Sequence, residues 1–91
     1  MSVSVRVPAQ LRTLTGGQAQ VTVEGSTVGE ALKGLDVAHP GFADRLFDGD
    51  GGLRRFVNVF LDDEDVRFLA GLDTPVSEGQ TLSIVPAVAG G

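Results

Sequence analysis

Val3, Val5 and Val7 alternate with Ser4 and Arg6, a period of two in β-branched residues that predicts a strand buried on one face. Pro8 ends it. A polar stretch with Leu11, Leu14 and the turn pair Gly16-Gly17 follows, and the alternation returns over Ala19-Gln20-Val21-Thr22-Val23, which reads as the partner strand of a hairpin. The period then changes. Thr27-Val28-Gly29-Glu30 has the capping-box pattern, and Val28, Ala31, Leu32 and Leu35 fall on one helical face, so a helix is expected to start at Thr27. It should close before His39-Pro40, because proline disfavours the α conformation in the residue that precedes it.

A short second helix is expected from Pro40, with Phe42, Leu46 and Phe47 turned inward, followed by a flexible loop at Asp48-Gly49-Asp50-Gly51-Gly52. Phe56 to Leu61 is apolar at nearly every position and reads as a central strand. Val57, Val59 and Leu61 would occupy one face and Phe56, Asn58 and Phe60 the other. Asp62 and Asp63 suit a turn, and Asp65-Val66-Arg67-Phe68 a short returning strand. Thr74 as cap, Pro75 at the first helical position and Gly79 as terminator outline one turn of helix. Thr81-Leu82-Ser83-Ile84-Val85 alternates as the last strand, which Pro86 ends.

A helix with one apolar stripe must bury it against a sheet, so the order predicts an α+β roll of the β-grasp kind. The sheet would be mixed, with four to five strands, one main helix across one face and no second helix over the other. Residues 1–86 would form this domain and 87–91 a flexible C-terminal tail.

Composition narrows the chemistry. Ninety-one residues form one small domain with a single core. With no cysteine, disulfides, thiolate metal sites and a thiol nucleophile are excluded. A net charge of −5 with seven Lys and Arg argues against nucleic acid, whose binding draws on phosphate neutralisation. No apolar run reaches the ~20 residues that span a bilayer and no signal-peptide pattern opens the chain, so a cytoplasmic protein is expected. His39 is the only histidine, which rules out a multi-imidazole metal site, and it is read as structural at a helix end. The acids at 62–65 are read as a solvated turn, with steering toward a basic partner weighed beside that. Asp48-Gly49-Asp50-Gly51 lacks the downstream ligands of a calcium loop. No metal site is expected.

The remaining feature is the ending Ala87-Val88-Ala89-Gly90-Gly91, small and uncharged throughout. Glycine lacks Cβ and adopts nearly any backbone conformation, so such a thread could carry a carboxylate through a gap too narrow for side chains. A frayed chain end is the plain alternative.

Three segments together, Phe56 to Arg67, Gly71 to Val76 and Val85 to Gly91, resemble the ubiquitin-like sulfur carrier family, which includes the small subunit of molybdopterin synthase and the carriers of the thiamine and cysteine pathways. The strand order matches over the whole chain, and the motifs cover Phe56 to Gly91. The resemblance implies a protein co-substrate rather than an enzyme. An E1-like adenylyltransferase and sulfurtransferase would consume ATP and magnesium to adenylate the Gly91 carboxylate, and sulfur would then displace AMP to give a thiocarboxylate. Gly90, Ala89, Val88 and Ala87 would thread into partner active sites, and the carrier itself would bind no cofactor. Length and the look of Arg55 to Phe68 favour the cysteine branch. There the thiocarboxylate adds to an aminoacrylate formed by a pyridoxal-phosphate (PLP)-dependent cysteine synthase, and a zinc metallopeptidase releases the product. Sulfur donation to molybdopterin or another metabolite, and a role as a ubiquitin-like modifier, stand as alternatives. A β-grasp binding module with an incidental tail is a third.

Phe60 is the candidate partner-surface residue, because period-two geometry puts it on the uncovered sheet face, where an exposed aromatic marks a contact site. Cover by a loop or by Leu53 is the structural alternative, and Phe56 shares both readings.

Overall fold

The computed structural model describes residues 2–49 and 51–86. Five strands among them, β1 (Ser2–Arg6), β2 (Gln20–Glu24), β3 (Val57–Leu61), β4 (Glu64–Asp65) and β5 (Thr81–Pro86), form one mixed sheet in the order β2-β1-β5-β3-β4. β1 and β5 run parallel and every other neighbouring pair is antiparallel. This is the β-grasp roll that the alternation predicts. β3 is an interior strand, as its apolar run predicts, and β5 is the middle one of the five. The parallel join to β1 places β5 at the centre and leaves β3 between it and the two-residue β4.

The alternation works as expected from side-chain direction. Val3, Val5, Val21, Val23, Val57, Val59, Leu61, Leu82 and Ile84 all enter the core. Helix α1 (Val28–Ala38) lies over this face and buries Val28, Ala31, Leu32 and Leu35. Each fully buried Leu side chain contributes roughly 1.5–3 kcal/mol by removal from water. The short α2 (Phe42–Leu46) closes the layer with Phe42 and Leu46, while Phe47 is partly buried. At its start, the carboxylate of Asp36 accepts the Ala43 amide at 2.9 Å and the Gly41 amide at 3.2 Å. Gly41 is at φ 115, a backbone conformation that favours glycine, and a Cβ there would also displace the terminal methyl of Leu14, 2.8 Å away.

α1 is capped at Thr27, whose hydroxyl accepts the Glu30 amide at 3.2 Å. The reciprocal bond of the capping box is displaced by one residue. Glu30 accepts from the amide and hydroxyl of Ser26 at 2.9 and 3.0 Å. His39 is the C-cap, one residue before Pro40.

Three expectations are corrected. The returning strand at Asp65 to Phe68 stops after Asp65, and Val66–Phe68 is a 3-10 turn, because the Asp65 carboxylate accepts the Arg67 amide at 2.9 Å and turns the chain off the ladder. The helical turn expected from Thr74 lies instead at Gly71–Asp73, with Thr74 as its C-cap. Thr74 is buried, accepts the Ala70 amide through its hydroxyl, and passes its carbonyl to the Val28 amide. Residues 74–76 therefore run extended against the start of α1. Residues 9–15, read only as a polar stretch, form a 3-10 helix (Ala9–Thr15) that turns Leu11 into the core. No helix among the described residues is long and apolar enough to cross a membrane.

Candidate functional site

The chain leaves the sheet at Pro86, which pairs with Val57 on the last rung between β5 and β3. The residues expected to thread into partners, Ala87, Val88, Ala89, Gly90 and Gly91, lie outside the described residues. The site is therefore built here from what surrounds their root and from the sheet face that α1 leaves open.

That open face is set by the other half of the alternation. Where Leu82 and Ile84 point to α1, Ser83 and Val85 point away. The register brings Gln20, Arg6, Ser83, Phe60 and Asp65 into one row across all five strands. Phe60 is half-buried in this row. Val85, opposite Asn58, is 45% exposed and lies diagonal to Phe60, at a spacing that large side chains bridge. The two apolar residues share a shallow groove of about 500 Å³ with Arg6, Asp62, Asp63 and Ser83. Leu53 bridges Phe47 and packs against the core.

Phe56 is placed differently from the expectation. A turn closed by the Val57 amide on the Arg54 carbonyl at 3.0 Å takes it out of the strand, so strand periodicity does not extend to it. Its ring is 58% exposed and lines a separate groove of about 240 Å³ with Leu11, Arg45, Arg54, Val57 and Pro86. Phe60 therefore marks the open face and Phe56 the root of the tail. These are adjoining surfaces, not one.

Hydrogen bonds stiffen both. The Arg67 guanidinium donates to Asn58 Oδ1 at 2.8 Å and to the Arg54 carbonyl at 2.7 Å, tying the start of β3 to the 3-10 turn after β4. At the far end Asp62, at φ 55, turns the chain out of β3. Its carboxylate accepts from the Thr81 amide and the Gln80 side chain, both at 3.1 Å. Sequence reasoning missed Arg67, whose partners are distant in sequence. It also passed over Val85, although Val85 stands out of phase with Leu82 and Ile84 in a strand already identified. Among the described residues no three or more His, Asp or Glu side chains gather as a metal site.

The described residues offer a pinned exit at Pro86 and an apolar contact pair, Phe60 and Val85. The natural comparison is with proteins that present a terminus. Residues 5–91 match the ThiS family. The sulfur carrier protein CysO of Mycobacterium tuberculosis is 45% identical over 93 residues that cover both chains completely. In the crystal structure of the Amycolatopsis orientalis BexX/CysO complex, one chain superposes with a TM-score of 0.92 at 47% identity, covering 98% of this chain and 99% of that one. Small archaeal modifier protein 1 of Haloferax volcanii is 36% identical over 85 residues, 91% of this chain and 93% of that protein.

Proposed function

The chain belongs to the ThiS family, and on that premise we propose that it is a sulfur carrier whose reactive group is the α-carboxyl of Gly91. It acts as a protein substrate of partner enzymes rather than as a catalyst. The observation that carries the reading is its likeness, over the full length of both chains, to a sulfur carrier protein.

The chemistry follows from the poor reactivity of a carboxylate. An E1-like partner lets a Gly91 carboxylate oxygen attack the α-phosphorus of ATP, with magnesium on the phosphates and pyrophosphate leaving. The acyl adenylate then has a good leaving group. The sulfur of a sulfide attacks its carbonyl carbon, and AMP departs with the bridging oxygen. The product keeps sulfur as a soft nucleophile on a protein handle, which holds it back from loss as free sulfide. Gly90 and Ala89, with Val88 and Ala87 behind them, would pass through the narrow approach to the active site. Without any cysteine, the chain has no thiol of its own to capture the activated acyl group.

Cysteine is the acceptor pathway we assign, in the cytoplasm, with a PLP-dependent synthase and a zinc metallopeptidase as the later partners. The activating group leaves the β-carbon of the serine derivative, and the thiocarboxylate sulfur forms its carbon–sulfur bond to that carbon. A shift of the acyl group from sulfur to nitrogen leaves cysteine on Gly91 through an amide, and hydrolysis frees it. The test is to incubate the thiocarboxylated chain with such a synthase and activated serine. A chain heavier than the unmodified one by one cysteine residue is expected, and a thiocarboxylate left unchanged contradicts this branch in favour of molybdopterin or another acceptor.

The likeness to small archaeal modifier protein 1 favours a second reading, attachment of Gly91 to lysines of other proteins. Isopeptide-linked forms in cell extract would establish it, alone or beside sulfur transfer.

A further inference from the structure

On a chain of net charge −5, the cations are not scattered. Of seven Lys and Arg residues, Arg45, Arg54, Arg55 and Arg67 gather at the end of the sheet where the chain leaves β5. Arg45 and Arg54 line the groove beside Pro86, and Arg55 is exposed next to Phe56. Arg67 reaches the Arg54 carbonyl, Arg12 donates to the Val7 carbonyl just beyond β1, and Arg6 is in the last rung of β1. Asp62 and Asp63 share the groove of Arg6 and Arg12, and Asp36, Asp44, Asp48 and Asp65 lie nearby, whereas among the described residues no acid lines the groove of Arg45, Arg54 and Phe56, so the positive surplus is local to that groove. The opposite end is the reverse. Glu24, Glu30, Glu64, Asp73 and Glu78 surround the starts of β1 and β5 and of α1, where Glu78 accepts the Ser2 amide. Lys33 sits between, in a groove with Glu30 and Asp73.

Arg45 and Arg55 make no hydrogen bond or ion pair among the described residues, so folding does not account for their placement. Free guanidiniums suit bidentate recognition of carboxylates, and Phe56 between them supplies apolar area to anchor the contact. A molecule with separated charge also turns in the field of an oppositely charged surface before it touches, which raises productive encounters.

We propose that Arg45, Arg54 and Arg55 around Phe56 form a docking collar for Asp and Glu side chains on the rim of a partner protein's tail-accepting cleft, and that the charge separation presents this chain root first. The proposal rests on the carrier reading for the partner's role, but the collar can be examined alone. The full chain, labelled with nitrogen-15, is titrated at low salt with a decaglutamate peptide and, separately, with inorganic polyphosphate. Decaglutamate is expected to shift the amides of Arg45, Arg54, Arg55 and Phe56 and not those near Glu24 and Glu78. The shifts should vanish in added salt and in the Arg45→Gln/Arg55→Gln variant. No shifts, shifts elsewhere, or binding of polyphosphate alone would overturn the proposal.

With an activating enzyme, the same double variant should lose about tenfold in kcat/KM at low salt with kcat unchanged, and the gap should close at high salt. An unchanged kcat/KM overturns the collar while leaving the carrier reading intact. If the parent chain is not activated at all, the carrier reading fails and the peptide titration still decides the collar.

Discussion

Val57 and Pro86 are register partners on the last rung between β3 and β5, so the root of the tail is held by the sheet beside the exposed ring of Phe56. The carrier reading puts the reactive group on Gly91, five residues beyond this rung. One alanine appended after Gly91 should leave stability within about 0.5 kcal/mol, as for surface changes that touch no special feature. Activation should disappear, because the carboxylate no longer reaches the adenylating centre. Pyrophosphate release under ATP measures this, and full release from the extended chain would contradict the mechanism.

Gly90→Leu examines the passage rather than the carboxylate. A branched side chain one residue from the reacting carbon misplaces it, and displacements of about 1 Å cost on the order of a hundredfold in rate. Thermal unfolding should not move. Equal rates for the two chains would show that no narrow passage exists.

Phe60→Ala separates binding from folding. Phe60 is half-buried on the open face whereas Phe42 is fully enclosed, so Phe42→Ala should cost about 3–5 kcal/mol and Phe60→Ala about 1 kcal/mol. Affinity for the activating partner should fall by about tenfold or more in Phe60→Ala, the loss typical of a buried interface aromatic. A Phe60→Ala chain that fails to fold in urea titration would make the residue structural.

The start of α1 predicts a pH dependence. The Ser26 amide, followed by the Ser26 hydroxyl, holds the Glu30 carboxyl below its ordinary value, against a small opposing effect of burial. A carboxyl lowered by folding contributes stability above its unfolded value and loses it as pH falls through its folded value. Glu30→Gln should therefore be less stable than the parent at neutral pH, with the gap narrowing in acid. Thr27→Ala should cost about 1 kcal/mol at either pH, since a hydroxyl cap does not titrate. Urea midpoints at both pH values give the comparison, and a Glu30→Gln gap that widens in acid would contradict the assignment.

The sheet and α1 were legible because their signals are local. Val3, Val5 and Val7 declare a buried face by themselves, and Thr27 with Glu30 declares a helix start. What was misread depends on partners far along the chain. Thr74-Pro75 has the look of a helix start, yet Thr74 is held by Ala70 and Val28, and the second of these bonds spans 46 residues. Phe56 continues the pattern of Asn58 and Phe60 but is withdrawn by the turn at Arg54. The candidate surface was found in part for the same reason. Phe60 follows from parity alone, whereas Arg67 matters through Asn58 and Arg54, and the clustering of arginines appears only once α2 and β3 are folded to one end.

The most direct test is the intact mass of the purified chain after incubation with its activating enzyme, ATP and a sulfide source. Exchange of a single oxygen for sulfur, located by fragmentation to Gly91 and dependent on ATP, is the predicted result. A mass that stays unchanged while ATP is hydrolysed to AMP, or sulfur found on any other residue, would contradict it.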